Sequence, residues 1–140
     1  MSDGKNSEKH NSVMLVDDNE IDNLINEKMI EGTGFAHNIF ISSSAISAID
    51  FLKNITKVNN TEGSLLPSII FLDINMPIMD GFQFLDEFEN LSKQIKDNCK
   101  VVMLSSSMNP RDIEQAKNND FVHEYFSKPL KEEDLEKIKI

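Results

Sequence analysis

Three aspartates directly follow the most apolar runs of this sequence. Asp17 and Asp18 come after the run 13–16, and Asp73 comes after the run 69–72. A carboxylate taken out of water costs several kcal/mol unless a partner offsets its charge, so an acid at the end of a buried strand indicates a reactive or metal-binding site. Alternatively, Asp73 is the first residue of a surface loop, and Asp17 and Asp18 cap a helix N-terminus.

A serine and a lysine follow two further runs in the same way. Ser105 directly follows 101–104, and Lys128 comes after 122–126 with Ser127 between them and precedes Pro129. Three carboxylates about 4 Å apart repel by about 4 kcal/mol per pair at an effective dielectric near 20, so such a cluster binds cations or protons. Mg²⁺ suits it, because this ion is usually held by one or two carboxylates plus a phosphate. A lysine and a hydroxyl suit a phosphoryl group, and a carboxylate can be the nucleophile that accepts it.

Apolar patterning places these residues in an α/β domain. The runs 13–16, 69–72 and 101–104 are continuous, which is typical of strands buried on both faces. The runs 38–41 and 122–126 mix polar and apolar residues, as edge strands do. The alternation of strands with helical patterns predicts a doubly wound parallel sheet of order 2-1-3-4-5, which binds ligands beyond the carboxyl ends of strands 1 and 3.

Helical periodicity fills the segments between the strands. The first helix is predicted to begin near Asn19 and to stop before Gly32. Its apolar face is predicted to contain Ile21, Leu24, Ile25 and Met29. Further apolar faces are predicted at Ala45, Ala48, Ile49 and Leu52, at Phe84, Leu85 and Phe88 after an Asp80 cap, after Pro110, and at Leu135 and Ile138. The segment 55–67 is predicted to be the longest loop.

Length and charge limit the possible functions. A chain of 140 residues predicts one domain, here 12–140, after a flexible N-terminal tail at 1–11. The formal net charge of −10 argues against binding to nucleic acid, and no apolar stretch approaches the roughly 20 residues that cross a membrane. A lone cysteine, Cys99, and the absence of a secretory signal predict a cytoplasmic protein.

Four motifs resemble those of one family over nearly the whole chain. They are LVDDNE at 15–20, FLDINMPIMDGF at 71–82, VVMLSSS at 101–107 and YFSKPL at 125–130. Together they are similar to the receiver domains of two-component response regulators, the CheY-like family. The resemblance implies a flavodoxin-like, three-layer sandwich around the five-stranded sheet.

The resemblance also implies a role for each matched residue. Asp73 is expected to accept a phosphoryl group, with Asp18, Asp73 and the backbone carbonyl of Asn75 binding Mg²⁺ directly and Asp17 binding it mainly through water. Mn²⁺ is a possible substitute. Lys128 is expected to contact Asp73 and then a phosphoryl oxygen. Ser105 and Tyr125 are expected to form a switch, in which Ser105 bonds the phosphoryl group and Tyr125 fills the vacated space.

The function implied is that of a stand-alone response regulator rather than a metabolic enzyme. Its expected partners are a histidine kinase or a histidine phosphotransfer protein, and a downstream protein effector. The effector is expected to bind the face formed by the helix after Pro110, the fifth strand and the last helix. A phosphorelay intermediate or phosphate sink, which passes the phosphoryl group to a phosphotransfer protein, is the alternative function.

Three other classes fit the sequence less well. A phosphohydrolase with an aspartyl nucleophile would share the chemistry, but Asn75 rather than an acid lies two residues beyond Asp73. A calcium loop at DINMPIMDG fails, because Pro77 occupies a ligand position and Ile78 replaces the turn glycine. A dinucleotide site is disfavoured since no glycine-rich turn follows the first strand.

Overall fold

Five parallel strands form the centre of the fold, which a computed structural model describes for residues 10–59 and 66–139. The strands are β1 (His10–Val16), β2 (Ala36–Ser42), β3 (Ile69–Asp73), β4 (Lys100–Ser105) and β5 (Val122–Ser127). Their order in the sheet is β2-β1-β3-β4-β5. The predicted fold class, strand order and doubly wound parallel sheet are therefore confirmed.

Six helices cover the two faces of the sheet in the described part of the chain. They are α1 (Glu20–Thr33), α2 (Ala45–Asn59), α3 (Gly81–Glu89), α4 (Lys93–Asn98), α5 (Pro110–Lys117) and α6 (Glu132–Lys137). The sequence predicted five of them and missed α4, a short helix that buries only Ile95. Within the described residues, none of these helices is long and apolar enough to cross a membrane.

The core lies on both sides of the sheet because successive strand residues point to opposite faces. Met14, Ile70 and Leu72 pack with the buried residues of α2, α3 and α4. Val13 and Phe71 face the other way, toward a smaller cluster that also holds residues of α1 and α6. The predicted apolar faces of α2, α3 and the last helix are buried, as expected.

The predicted apolar face of α1 is wrong for three of its four residues, since only Met29 packs against the core. Three of its side chains are exposed, with relative accessibilities of 67% for Ile21, 52% for Leu24 and 45% for Ile25. The helix instead buries Asn23, Asn26 and Ile30. Asn23 donates to the Asp17 carbonyl (2.8 Å), and Asn26 accepts from the Leu130 backbone N–H (2.9 Å). These polar contacts fix the rotation of α1 about its axis, which hydrophobic periodicity alone could not predict.

Two predicted element boundaries are also wrong. The helix α1 continues through Gly32 and ends at Thr33, because Gly34 adopts the left-handed conformation (φ 70°) that closes the helix. The loop predicted over 55–67 begins too early, since α2 extends to residue 59; residues 60–65 lie outside the described part.

The predicted domain start at residue 12 falls inside β1, which begins at His10. The His10 ring packs on Phe35 with the ring centroids 4.7 Å apart, and its Nδ1 lies 2.7 Å from Ser68 Oγ. These contacts, together with pairing of His10 to Ala36, extend the strand beyond its apolar run. The part of the predicted tail at 1–9 lies outside the described residues.

The turn between β3 and α3 places backbone atoms unusually close together. Asp80 and Gln83 form a reciprocal capping box at the start of α3, as the predicted Asp80 cap requires. The Gly81 N–H donates to the Ile74 carbonyl at 2.7 Å. A Cβ atom at position 81 would lie 2.7 Å from the Asp73 carbonyl oxygen and 2.9 Å from Ile74 Cα. Only glycine therefore fits at this position without moving the backbone next to Asp73.

Substituting this glycine should destabilise the fold. Because the clash is with backbone, we expect Gly81→Ala to lower the free energy of unfolding by about 1–3 kcal/mol in a urea titration. The matched control is Gly32→Ala, where an added Cβ meets nothing within 4 Å. That change should stabilise the helix by about 0.5–1 kcal/mol. Equal effects at the two positions would contradict the packing described for Gly81.

Candidate functional site

The carboxyl ends of β1 and β3 bring three aspartates together. Val16 pairs with Leu72 in the parallel register, so the residues that follow each strand lie at the same level of the sheet. Carboxylate oxygens of Asp17, Asp18 and Asp73 lie within 4.8 Å of one another. Asp17 and Asp73 are buried, with 4% and 5% of their surface exposed, whereas Asp18 is exposed. The cluster is thus open to solvent on the side of Asp18.

Lys128 supplies the positive charge next to this cluster. Its ammonium lies 2.8 Å from Asp17 Oδ2 and 3.1 Å from Asp73 Oδ1, and its side chain is 9% exposed. The backbone N–H of Lys128 donates to the Ser105 carbonyl at 2.8 Å, which ties the end of β5 to the end of β4. The position of the lysine is therefore set by the sheet rather than by the loop alone.

The charges at the site do not balance, and the pKa values reflect this. Burial raises the pKa of Asp73 from 3.8 to about 6, and the charge of Asp17 adds to the rise, while Lys128 opposes it. Burial lowers the pKa of Lys128, but hydrogen bonds to Asp17 and Asp22 and the charge of Asp73 outweigh burial and raise it above its usual range. The two shifts have different main causes: burial is the largest cause of the rise at Asp73, whereas the surrounding carboxylates produce the rise at Lys128 against the effect of burial.

The oxygens of the three aspartates differ in their availability for a cation. Asp17 Oδ1 accepts the backbone N–H of Asn19 at 2.9 Å, and Asp17 Oδ2 accepts from Lys128. Both oxygens of Asp17 are therefore already hydrogen-bonded, whereas Asp18 projects into solvent. Asn75, whose carbonyl is the fourth expected ligand, lies two residues beyond Asp73 with an exposed side chain. All the candidate ligand atoms are oxygens, the type that Mg²⁺ and Mn²⁺ take.

Ser105 and Tyr125 both reach the same backbone carbonyl. The Ser105 hydroxyl donates to the Ser107 carbonyl at 2.6 Å and accepts the Ser107 N–H at 3.1 Å. The Tyr125 hydroxyl lies 3.5 Å from that carbonyl. In this structure the hydroxyl of Ser105 is therefore committed to its own loop, and the half-buried Tyr125 is linked to it through Ser107.

Two features near the site were missed by sequence reasoning. The carboxylate of Asp22 lies 2.7 Å from the Lys128 ammonium; its place in the first turn of the helix that directly follows Asp17 and Asp18 was the available signal. Ile78, in the loop after β3, has φ 70° and is 89% exposed. Positive φ is an outlier for a β-branched residue, and no sequence pattern indicates it here.

Comparison with known proteins gives a consistent match. The model of the family described as "Response regulator receiver domain" matches residues 13–139. A two-component response regulator from Cytophaga hutchinsonii, known from a crystal structure, is 37% identical and superposes with a TM-score of 0.82 over 91% of this chain and 92% of that chain. The likeness thus extends over both sequence and fold.

Two further relatives differ greatly from each other in how much of their length this chain covers. Response regulator Rcp1 of Synechocystis is 29% identical over 81% of this chain and 72% of its own length. The crystal structure of its Mn²⁺-bound form gives a TM-score of 0.69 at 26% identity, covering 89% of this chain and 86% of that chain. Hybrid signal transduction histidine kinase L of Dictyostelium discoideum is 32% identical over 90% of this chain but only 7% of that protein. Segments of this kind therefore form most of some proteins and a small part of others.

The raised pKa of Asp73 predicts an unusual pH dependence of stability without metal. Between pH 3.8 and about 6 the folded protein keeps a proton on Asp73 that the unfolded chain has lost, so stability falls as the pH rises through this range. Asp73→Asn removes the charge, so in EDTA we expect its melting temperature to exceed the wild-type value by about 3 °C at pH 7.5. The difference in melting temperature between Asp73→Asn and wild type, measured by calorimetry, should shrink as the pH is lowered from 6 to 4.

The control for this prediction is Asp86→Asn, which removes an exposed charge from α3. Its melting temperature should follow that of wild type at every pH. A difference between Asp73→Asn and wild type that is the same at pH 4 and pH 7.5, or that is negative at pH 7.5, would contradict the electrostatic account.

Proposed function

This chain belongs to the response regulator receiver domain family, and we propose that it accepts a phosphoryl group on Asp73 from a histidine kinase or a histidine phosphotransfer protein. The observation that carries the proposal is the buried Asp73 carboxylate, 3.1 Å from the Lys128 ammonium and clustered with two further aspartates. In the transfer, the N–P bond of a phosphohistidine breaks and a bond forms between phosphorus and an Asp73 oxygen. The electron pair of the broken bond stays on the imidazole nitrogen.

A divalent cation fits the same site. Asp18, Asp73 and the Asn75 carbonyl would hold Mg²⁺ directly, and Asp17, both of whose oxygens are engaged, would act mainly through water. Mn²⁺ is a chemically similar substitute, and Rcp1 is a relative with a Mn²⁺-bound structure. The cation would neutralise charge on the phosphoryl oxygens. The surplus of carboxylates over ammonium groups supports this assignment, because it leaves negative charge for a cation to offset.

Lys128 has a separate task at the acceptor. Its ammonium is close enough to Asp73 to move from the carboxylate to a phosphoryl oxygen with little displacement. Charge on the equatorial oxygens of a transferring phosphoryl group is stabilised best by groups already in place. A buried lysine bonded to fixed carboxylates satisfies this condition.

Ser105 and Tyr125 would report phosphorylation to the protein surface. To bond a phosphoryl oxygen, the Ser105 hydroxyl must leave the Ser107 carbonyl, to which Tyr125 is also linked. We propose that this exchange shifts the Tyr125 ring inward and so changes the face formed by α5, β5 and α6. That face is the proposed surface for a downstream protein effector.

The proposed output is protein binding by a stand-alone, cytoplasmic response regulator that turns over no metabolite. Passage of the phosphoryl group onward to a histidine phosphotransfer protein, as a relay intermediate or phosphate sink, is the second candidate. It is favoured by the match to a hybrid histidine kinase, a class that carries such segments within long chains. A phosphohydrolase remains the least supported, because Asn75 stands where an acid would be required.

Phosphorylation of Asp73 is directly testable. Incubation with acetyl phosphate and Mg²⁺ should add one acid-stable, base-labile phosphoryl group, detected by intact mass spectrometry, because an aspartyl phosphate is an acyl phosphate. EDTA should prevent the reaction. Asp73→Asn should remain unmodified, and labelling that persists in this variant would exclude Asp73 as the acceptor.

The switch can be followed by intrinsic fluorescence, since the chain has a single tyrosine and no tryptophan. Adding beryllofluoride, a phosphoryl mimic, together with Mg²⁺ should change the Tyr125 emission as the ring moves to a less polar position. Asp73→Asn should show no change. Ser105→Ala should bind the mimic with a smaller change. Unaltered wild-type emission, with binding verified by ¹⁹F NMR, would refute the switch.

A further inference from the structure

Asp22 contacts the reactive lysine as closely as any residue of the site. The Lys128 ammonium lies 2.7 Å from Asp22 Oδ2, compared with 2.8 Å from Asp17 Oδ2 and 3.1 Å from Asp73 Oδ1. An ammonium has three N–H donors, so these three carboxylates match its full donor capacity. The two shorter contacts hold the ammonium from the side of β1 and α1, and the longest one points to the proposed phosphoacceptor.

The backbone around Lys128 is fixed independently of these contacts. Its own N–H donates to the Ser105 carbonyl (2.8 Å), and the N–H of Leu130 donates to the buried Asn26 side chain (2.9 Å). A lysine side chain nevertheless has a flexible four-carbon stem, so a fixed backbone does not define where the charge lies. Carboxylate anchors at the end of the stem are needed for that.

We propose that Asp22 is a positioning residue for phosphoryl transfer, which with Asp17 anchors the Lys128 ammonium so that its third N–H is directed at the phosphoacceptor Asp73. This inference rests on the proposed function of Asp73. Asp22 acts through Lys128, and its place in the first turn of α1, with its backbone N–H held by the Asn19 side chain at 3.0 Å, makes it a rigid anchor.

The chemical consequence concerns the nucleophile as well as the lysine. When acetyl phosphate is the donor, its bond between phosphorus and the acyl oxygen breaks, acetate leaves with the electron pair, and an Asp73 oxygen bonds to phosphorus. An ammonium already in place stabilises the charge on the transferring group without reorganisation. Without Asp22, Lys128 would keep only Asp17 and Asp73 as carboxylate partners among these three, and the position of its ammonium relative to Asp73 would be less well defined.

The test compares Asp22→Ala with Glu20→Ala. Both remove one acid from the same helical turn, but Glu20 is exposed and is not among the carboxylates within salt-bridge distance of Lys128. At saturating Mg²⁺, we expect Asp22→Ala to lower the maximal rate of phosphorylation by acetyl phosphate about three- to tenfold. The donor concentration at half-maximal rate should stay within about twofold of wild type. Glu20→Ala should retain the wild-type rate, and Asp22→Glu should restore most of it.

A second measurement reports on the lysine directly. In ¹⁵N-labelled wild-type protein, the buried and hydrogen-bonded Lys128 ammonium should give a slowly exchanging NMR signal, assigned by its absence in Lys128→Met. The signal should broaden or vanish in Asp22→Ala and persist in Glu20→Ala. This readout requires no phosphorylation, so it remains interpretable if wild type is not phosphorylated and the proposed function fails.

The results that overturn the inference are distinct. An unchanged ammonium signal in Asp22→Ala shows that Asp22 does not anchor the lysine. A lost signal with an unchanged rate shows that anchoring does not serve transfer. An equal rate loss in Glu20→Ala shows that only the charge of the helical turn matters, and failure of Asp22→Glu to recover activity shows a merely structural role.

Discussion

The contact between one buried ammonium and a group of carboxylates organises this protein. Lys128, at the end of β5, meets Asp17 from β1, Asp73 from β3 and Asp22 from α1. A buried ion pair is costly to form, because both charges lose water, and it persists only where geometry and further hydrogen bonds compensate. Here the parallel sheet supplies the geometry, since the strands that carry these residues end at the same edge. The remaining excess of negative charge makes the site suitable for a cation, and the ammonium together with such a cation would offset the charge of the proposed phosphoryl group.

Hydrogen bonds next to this contact explain why α1 presents an unexpected face to the protein. Burying Asn23 and Asn26 while leaving Ile21, Leu24 and Ile25 exposed is unfavourable by hydrophobic burial alone. The buried amides bind backbone groups at both sides of the site, the Asp17 carbonyl and the Leu130 N–H. The helix therefore serves to hold the ends of β1 and β5 in place, and its exposed apolar residues lie on the side that the site leaves free. Asn23 Oδ1 is buried without a hydrogen-bond partner in the described structure, which is an unfavourable consequence of burying Asn23.

Tight packing also restricts the loop that follows Asp73, the proposed phosphoacceptor. Gly81 starts α3 against the carbonyl of Asp73, and the Gly81 N–H donates to the Ile74 carbonyl, so the backbone that follows Asp73 is held by the next helix. The strain at Ile78, four residues further on than Ile74, is located in the exposed part of the same loop. The Met79 N–H donates to the Pro77 carbonyl at 2.8 Å, and this bond closes a three-residue turn around Ile78.

The sequence by itself determined the strands and the residues at their carboxyl ends, because continuous apolar runs and helix caps are local signals. It also determined the strand order, because the two runs that mix polar and apolar residues mark the edges of a doubly wound sheet. The sequence also identified Asp17, Asp18, Asp73 and Lys128 as neighbours, because the carboxyl ends of parallel strands lie at the same edge of a sheet. The short helix α4 escaped, because a six-residue helix with one buried side chain has too little periodicity to be detected.

Only the tertiary structure decided the rotation of α1, the close approach at Gly81 and the third carboxylate on Lys128. The rotation of α1 and the third carboxylate depend on contacts between residues far apart in the chain, Asn26 with Leu130 and Asp22 with Lys128, separated by 104 and 106 positions. The approach at Gly81 depends on how the loop after β3 folds back on Asp73 and Ile74. A hydrophobic pattern predicts that a helix has two unlike faces, but it assigns the apolar one to the core. Buried hydrogen bonds and charges reverse that choice here, because leaving the ends of β1 and β5 without their polar partners would cost more than exposing three apolar side chains.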